Sequence, residues 1–230
     1  ITDQNTLSDL KYIKVTFKTD ECNTVNEFCY LTFTDYLNGT IVLDPLSLEY
    51  NVKLSSLPSS GTNGVFEYNI TFPKVAKSYG NYNWSIIVEV ADSSNPPVQS
   101  SLNNLFDFNY YSEFVITKDF TIGIASPGSI ITNVTWINIT AINSNSQVKI
   151  YTNHTYMYNS VGSAVTLWPL ANNVNLTISN VSGTIANNVT VIVGGPSRNI
   201  PNSVTWNVYV PKGISSGQYY FYYFVEFTKS

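Results

Sequence analysis

Val204-Thr205-Trp206-Asn207-Val208-Tyr209-Val210-Pro211-Lys212 is the stretch that decides the fold class. Val204, Trp206, Val208 and Val210 fall on every second position, with Thr, Asn and Tyr between them. A period of two marks a strand with one face in a core and the other in water. Pro211 then removes a backbone donor and ends the ladder. The same design stands at Phe66-Glu67-Tyr68-Asn69-Ile70-Thr71-Phe72-Pro73-Lys74. Each copy is followed by a short turn, then by Gly80-X-Tyr82 or Gly217-X-Tyr219. Nine residues past each Gly comes a Glu, in Val88-Glu89-Val90 and Val225-Glu226-Phe227. Gly permits the tight return and Tyr opens the next strand. Two such hairpins in a 230-residue chain predict two similar sandwiches in tandem.

The alternation recurs outward from these hairpins. It runs through Leu10–Lys18, Phe28–Tyr36, Leu48–Leu54, Asn83–Val90, Phe106–Thr117, Val134–Ile142, Val148–Tyr151, Val165–Trp168, Asn175–Ile178, Val189–Val193 and Gln218–Phe227. Val, Ile, Thr and aromatic residues dominate these segments, and Gly, Pro, Asn and Ser fill the gaps. No window keeps a helical period. The expected fold is all-β: two tandem immunoglobulin-like β-sandwich domains at residues 21–118 and 119–230, behind an N-terminal tail and donor strand at 1–20. No apolar run reaches the roughly 20 residues that a membrane-spanning helix needs. The first residue is Ile1, which suggests removal of a secretory leader.

Charge is unevenly spread. Residues 1–119 hold fourteen of the fifteen carboxylates, and none lies between Phe120 and Val225. Carboxylates are the usual general acids, bases and hard-metal ligands, so this composition speaks against an enzyme and against a metal cofactor. No basic face for nucleic acid is present either. Acid denaturation works largely through carboxylates that are paired in the native state, so a half with one carboxylate has little such liability.

Cys22 and Cys29 are the only cysteines and read as a short disulfide loop, with two buried free thiols as the alternative. Two thiolates without a nearby His fall short of a zinc site. Nine Asn-X-Ser/Thr sequons occur, at Asn38, Asn69, Asn83, Asn133, Asn138, Asn153, Asn175, Asn180 and Asn188. Seven have Thr in the third position, the stronger acceptor context, and six lie beyond residue 119. Covalent N-glycans on an extracellular surface are expected, and no other cofactor. The lone His154 sits inside the sequon Asn153-His154-Thr155, which makes it an exposed strand or loop residue rather than a ligand.

The two halves end differently. After Val90 the chain continues through Asn95-Pro96-Pro97 into the strand Phe106–Thr117; after Phe227 it has three residues left. If Phe106–Thr117 closes the first sandwich, the second lacks its closing strand, leaving a groove and a row of unpaired backbone groups. Leu10–Lys18 has no obvious hairpin partner. It places Ile13, Val15 and Phe17 on one face, with Leu10 and Tyr12 at its start. These five residues are the expected donor strand, entering the second sandwich of a neighbouring copy and generating a head-to-tail filament. In the competing organisation Phe106–Thr117 opens the second domain and Leu10–Lys18 is an ordinary strand of the first. The protein is then a monomeric glycosylated surface or S-layer-associated module with an adhesive or carbohydrate-binding role.

The processed N-terminus, the tail ITDQNTLSDLKYIKVTFK, the Thr-type sequons, the Tyr- and Asn-rich strands and the scarce charge together resemble the archaeal thread pilins. These are glycosylated surface-filament subunits similar in plan to bacterial type I pilins. The resemblance implies an extracellular cell-surface filament of β-sandwich subunits, joined by donor-strand complementation and serving attachment or cell–cell contact. Its partners are copies of the chain, with a possible surface or carbohydrate target. Only Leu10–Lys18 is matched to a role, that of donor.

Two motifs point elsewhere. Gly213-Ile214-Ser215-Ser216-Gly217 has the G-x-S-x-G pattern, but a Pro-Lys turn precedes it and a Tyr-rich strand follows, which reads as a hairpin turn. In Tyr219-Tyr220-Phe221-Tyr222-Tyr223-Phe224, alternation sends Tyr219, Phe221 and Tyr223 to a core face. Tyr220, Tyr222 and Phe224 take the other, where a sugar platform is the competing reading. Glu49, Glu67, Glu89 and Asp92 read as solvent-facing, and Asp20-Glu21 lacks EF-hand spacing.

Overall fold

The structure is a computed structural model that describes residues 1, 7–20, 22, 28–44, 50–56, 61–78, 83–93, 96–116 and 125–230. Glu21, Glu49, Gly80, Tyr82, Asn95 and the expected boundary at 118/119 lie outside them. The chain divides into two compact units, Ile1–Tyr110 and Tyr111–Ser230. Both are built from antiparallel strands, and the described helix amounts to short turns.

The first unit contains β1 (Leu10–Thr19), β2 (Tyr30–Asp35), β3 (Ile41–Leu43), β4 (Asn51–Ser56), β5 (Glu67–Thr71), β6 (Trp84–Asp92) and β7 (Val98–Phe106). One sheet has the order β3-β2-β1-β6-β7, and β4 pairs with β5 in a second. Ile13, Val15 and Phe17 of β1 are buried with Leu31, Phe33 and Trp84. Phe72 lies among rings, 5.1 Å from Phe17, 5.6 Å from Tyr50, 5.7 Å from Phe106 and 5.0 Å from Phe108, all edge-on or tilted. Such geometries favour aromatic pairs beyond their area. Asp35 is buried but satisfied. Its carboxylate accepts from the Leu37 N–H at 2.8 Å and from the Tyr68 hydroxyl at 2.9 Å.

Here the donor-strand expectation is corrected. β1 is not spare: it lies between β2 and β6 in its own unit, with a continuous register from Ile13↔Asp35 to Lys18↔Tyr30 and from Tyr12↔Ala91 to Thr19↔Trp84. Its apolar row, read correctly as one buried face, is absorbed by its own core. Residues 1–20 are therefore not a tail apart from the first unit.

The second unit contains β8 (Ser112–Ile116), β9 (Ile130–Ile142), β10 (Ser146–Tyr151), β11 (Tyr156–Asn159), β12 (Ala164–Pro169), a one-turn helix at Leu170–Asn173, and β13 (Val174–Ile178). It continues with β14 (Val181–Thr184), β15 (Val189–Val193), β16 (Ser197–Tyr209), β17 (Tyr219–Tyr220) and β18 (Phe224–Lys229). A five-stranded sheet has the order β14-β13-β16-β9-β8, and two three-stranded sheets have the orders β15-β10-β18 and β12-β11-β17. One core draws on all three, including Ile137 and Ile139 of β9, Ile150 of β10, Met157 of β11, Trp168 of β12 and Trp206 of β16. The Trp206 indole N–H donates to Thr135 Oγ1 at 2.9 Å inside it.

The segment Phe106–Thr117 is neither one strand nor the property of one domain. Phe106 and Phe108 pack in the first core, while Ser112–Ile116 pairs with β9 in the second unit. The division thus falls before Tyr111 rather than at 118/119. β7, β3, β11 and β14 are strands that alternation did not reveal.

Candidate functional site

The internal repeat is longer in the fold than in the sequence hairpins. In the first unit Lys14 sits opposite Glu89 across β1 and β6; in the second Lys149 sits opposite Glu226 across β10 and β18. The flanking residues match as well, Ile13 and Val15 with Val148 and Ile150. β1 is thus the counterpart of β10, and β6 of β18. The neighbours differ. β6 is covered on its far side by β7, whereas β18 ends its sheet.

Within the second unit, burial falls from the inner strands to the last ones. Val148 and Ile150 on β10, and Val204, Trp206 and Val208 on β16, are all at most 1% exposed. The matching row on the last strands, Tyr219, Phe221, Tyr223, Val225 and Phe227, packs on the same core yet stays half-exposed. The inward row of β6, Ile86, Val88 and Val90, is half-exposed as well, although β7 lies beside it. At one end the Phe227 ring stacks on Phe114 of β8, 4.2 Å between centroids, so the final strands of two sheets meet there. Lys149 Nζ lies 3.8 Å from a Glu226 oxygen and 4.6 Å from the centre of the Tyr151 ring. This pair is exposed enough for its stabilisation to be small.

The outer face of the same strands is aromatic. Tyr220 stands 5.5 Å from Tyr222 and 6.0 Å from Tyr158, and Phe224 stacks on Tyr151 at 5.4 Å. Tyr222 and Phe224 are exposed. The alternation read from the sequence is therefore the one the strand adopts. His154 differs from expectation: it is half-buried, with Tyr158 at 4.5 Å and Tyr222 at 5.4 Å, although Asn153 beside it is exposed.

Cys22 and Cys29 are joined in a disulfide, their Cα atoms 5.7 Å apart. Of the nine sequon asparagines, Asn38, Asn69, Asn153, Asn175, Asn180 and Asn188 are exposed, and Asn83, Asn133 and Asn138 are half-buried. Most fall on turns and outward strand positions, as at Asn175 between buried Val174 and Leu176, but Asn133 shares the inward face of β9 with buried Thr135 and Ile137. No sequon lies between Asn83 and Asn133 or after Asn188, so β7 and β16 to β18 carry none.

Ser215 occupies a turn between strands, not a strand–turn–helix elbow, and the Tyr219 hydroxyl donates to its carbonyl oxygen at 2.7 Å. Among the described residues no group of three or more His, Cys, Asp or Glu side chains is placed to hold a metal. Nor is any described helix long and apolar enough to cross a membrane. Three phenols are perturbed. The Tyr12 hydroxyl is raised by its 2.7 Å hydrogen bond to Glu89, Tyr68 by burial and by Asp35, and Tyr50 by burial. All three lie in the first unit. Comparison with protein-family models, curated proteins and solved structures finds no match.

Proposed function

We propose that the chain is the structural subunit of an extracellular, glycosylated filament of the thread-pilin kind, in which copies join head to tail through the final strand of the second unit. The observation that carries this reading is that β18, whose inward side chains Val225 and Phe227 are half-exposed, ends its sheet among the described residues. Unpaired backbone groups beside an apolar row form a template for a strand from another chain. The strand at Leu10–Thr19 stays in its own unit, so another segment must fill the place. Sequons on turns and outward positions fit a sugar-coated exterior that leaves this edge bare. The test is electron microscopy of the purified native chain across a concentration series. Filaments with a regular subunit repeat are expected, and particles that stay monomeric at every concentration refute the reading.

A second reading is a surface module that binds carbohydrate. It is favoured by the outer aromatic face of Tyr158, Tyr220 and Tyr222, since exposed rings on a flat sheet suit stacking against sugar rings. Loss of glycan-array binding in Tyr222→Ala would support it.

A further inference from the structure

We infer that β7 of one copy pairs with β18 of a second copy, so that the first unit of one chain supplies the strand the second unit of the other lacks. The inference rests on the filament reading and names its contact. The chain itself shows what belongs beside β18: its counterpart β6 is flanked by β7, in the register Ile86↔Leu102, Val88↔Ser100 and Val90↔Val98.

β7 is an unguarded edge. VQSSLNNLF contains no charge and no proline, whereas exposed edges are ordinarily protected by both. Val98 and Leu102 share the core face with Val90 and Ile86, yet they are 70% and 61% exposed, because no described residue of the first unit covers them. Every residue from Val98 to Leu105 is exposed. In that register pairing with β18 would lay Val98 beside Phe227, Ser100 beside Val225 and Leu102 beside Tyr223, extending both half-covered apolar rows into one.

Two further observations select a second copy as the occupant. Residues 1–110 carry twelve carboxylates and six lysines, net −6, while residues 111–230 carry three carboxylates and five cations, net +2. Opposite net charges steer unlike units together and like units apart. Neither strand itself carries a sequon. The contact joins two different surfaces, so it propagates rather than closing on itself as an isologous dimer.

The test uses two full-length variants, each blocking one surface at exposed positions. Val98→Lys/Leu102→Lys charges β7 and leaves β18 intact; Phe224→Lys/Thr228→Lys charges β18 and leaves β7 intact. Sedimentation velocity should find wild-type oligomers, monomers for each variant alone, and a heterodimer when the two are mixed. Affinity between identical variant copies should fall about tenfold or more. A native circular dichroism spectrum for each variant excludes unfolding. A cysteine pair, Ser100→Cys on one copy and Val225→Cys on the other, should give an intermolecular disulfide only in the mixture. Assembly of both variants as wild type, or no heterodimer on mixing, overturns the β7–β18 contact while leaving the filament reading standing. Wild type that never assembles overturns both.

Discussion

Removing residues 1–20 separates a spare ribbon from a core strand. As a ribbon, its loss would leave a folded, soluble monomer. The structure predicts collapse of the first unit instead. Ile13, Val15 and Phe17 are 2%, 4% and 6% exposed, and burying a side chain of this size contributes about 1.5–3 kcal/mol. The three together contribute about 5–9 kcal/mol, before the ladders to β2 and β6 are counted. A domain of this size is stable by about 5–15 kcal/mol in all, so the deletion removes most or all of that margin. The milder Phe17→Ala should cost about 3–5 kcal/mol, since the ring also meets Phe72 and Phe106. Hydrogen exchange followed by mass spectrometry reads the result locally. Protection should vanish in Tyr30–Asp35 and Trp84–Asp92 and persist in β9, β10 and β16. Full protection of β2 and β6 in the truncated chain would refute the placement of β1 and restore the ribbon.

Trp206→Phe keeps a ring in the second core but leaves buried Thr135 Oγ1 without its donor, at a cost of about 1–3 kcal/mol in denaturant unfolding; adding Thr135→Val should recover part of it. At alkaline pH, Tyr50 and Tyr68 keep their protons in the fold beyond the ordinary phenol value of about 10, where the unfolded chain releases them. Their contribution is therefore whole below about pH 10 and is lost as pH climbs toward the raised folded values. The unfolding midpoint of the first unit should drop above pH 10, and Tyr50→Phe/Tyr68→Phe should flatten that drop.

For the strands whose residues alternate, the sequence alone determined that they are strands and which of their faces point inward. Val204 to Val210, Ile13 to Phe17 and Tyr219 to Phe227 all face the core as their alternation says, because side chains on a strand alternate whatever it pairs with. The turn at Gly213–Gly217 was legible for the same local reason, but the expected hairpins are not formed: β5 pairs with β4 and not β6, and β16 pairs with β9 and β13 and not with β17 or β18. Partner choice was not. Alternation marks one apolar face on β1 but does not say whose sheet receives it, and the register with β2 and β6 is set by packing across distant segments. β7 escaped notice because VQSSLNNLF has too few β-branched or aromatic residues to read as a strand; its pairing with β6 makes it one. That β18 ends its sheet is likewise a property of the assembled sheet that no single segment encodes.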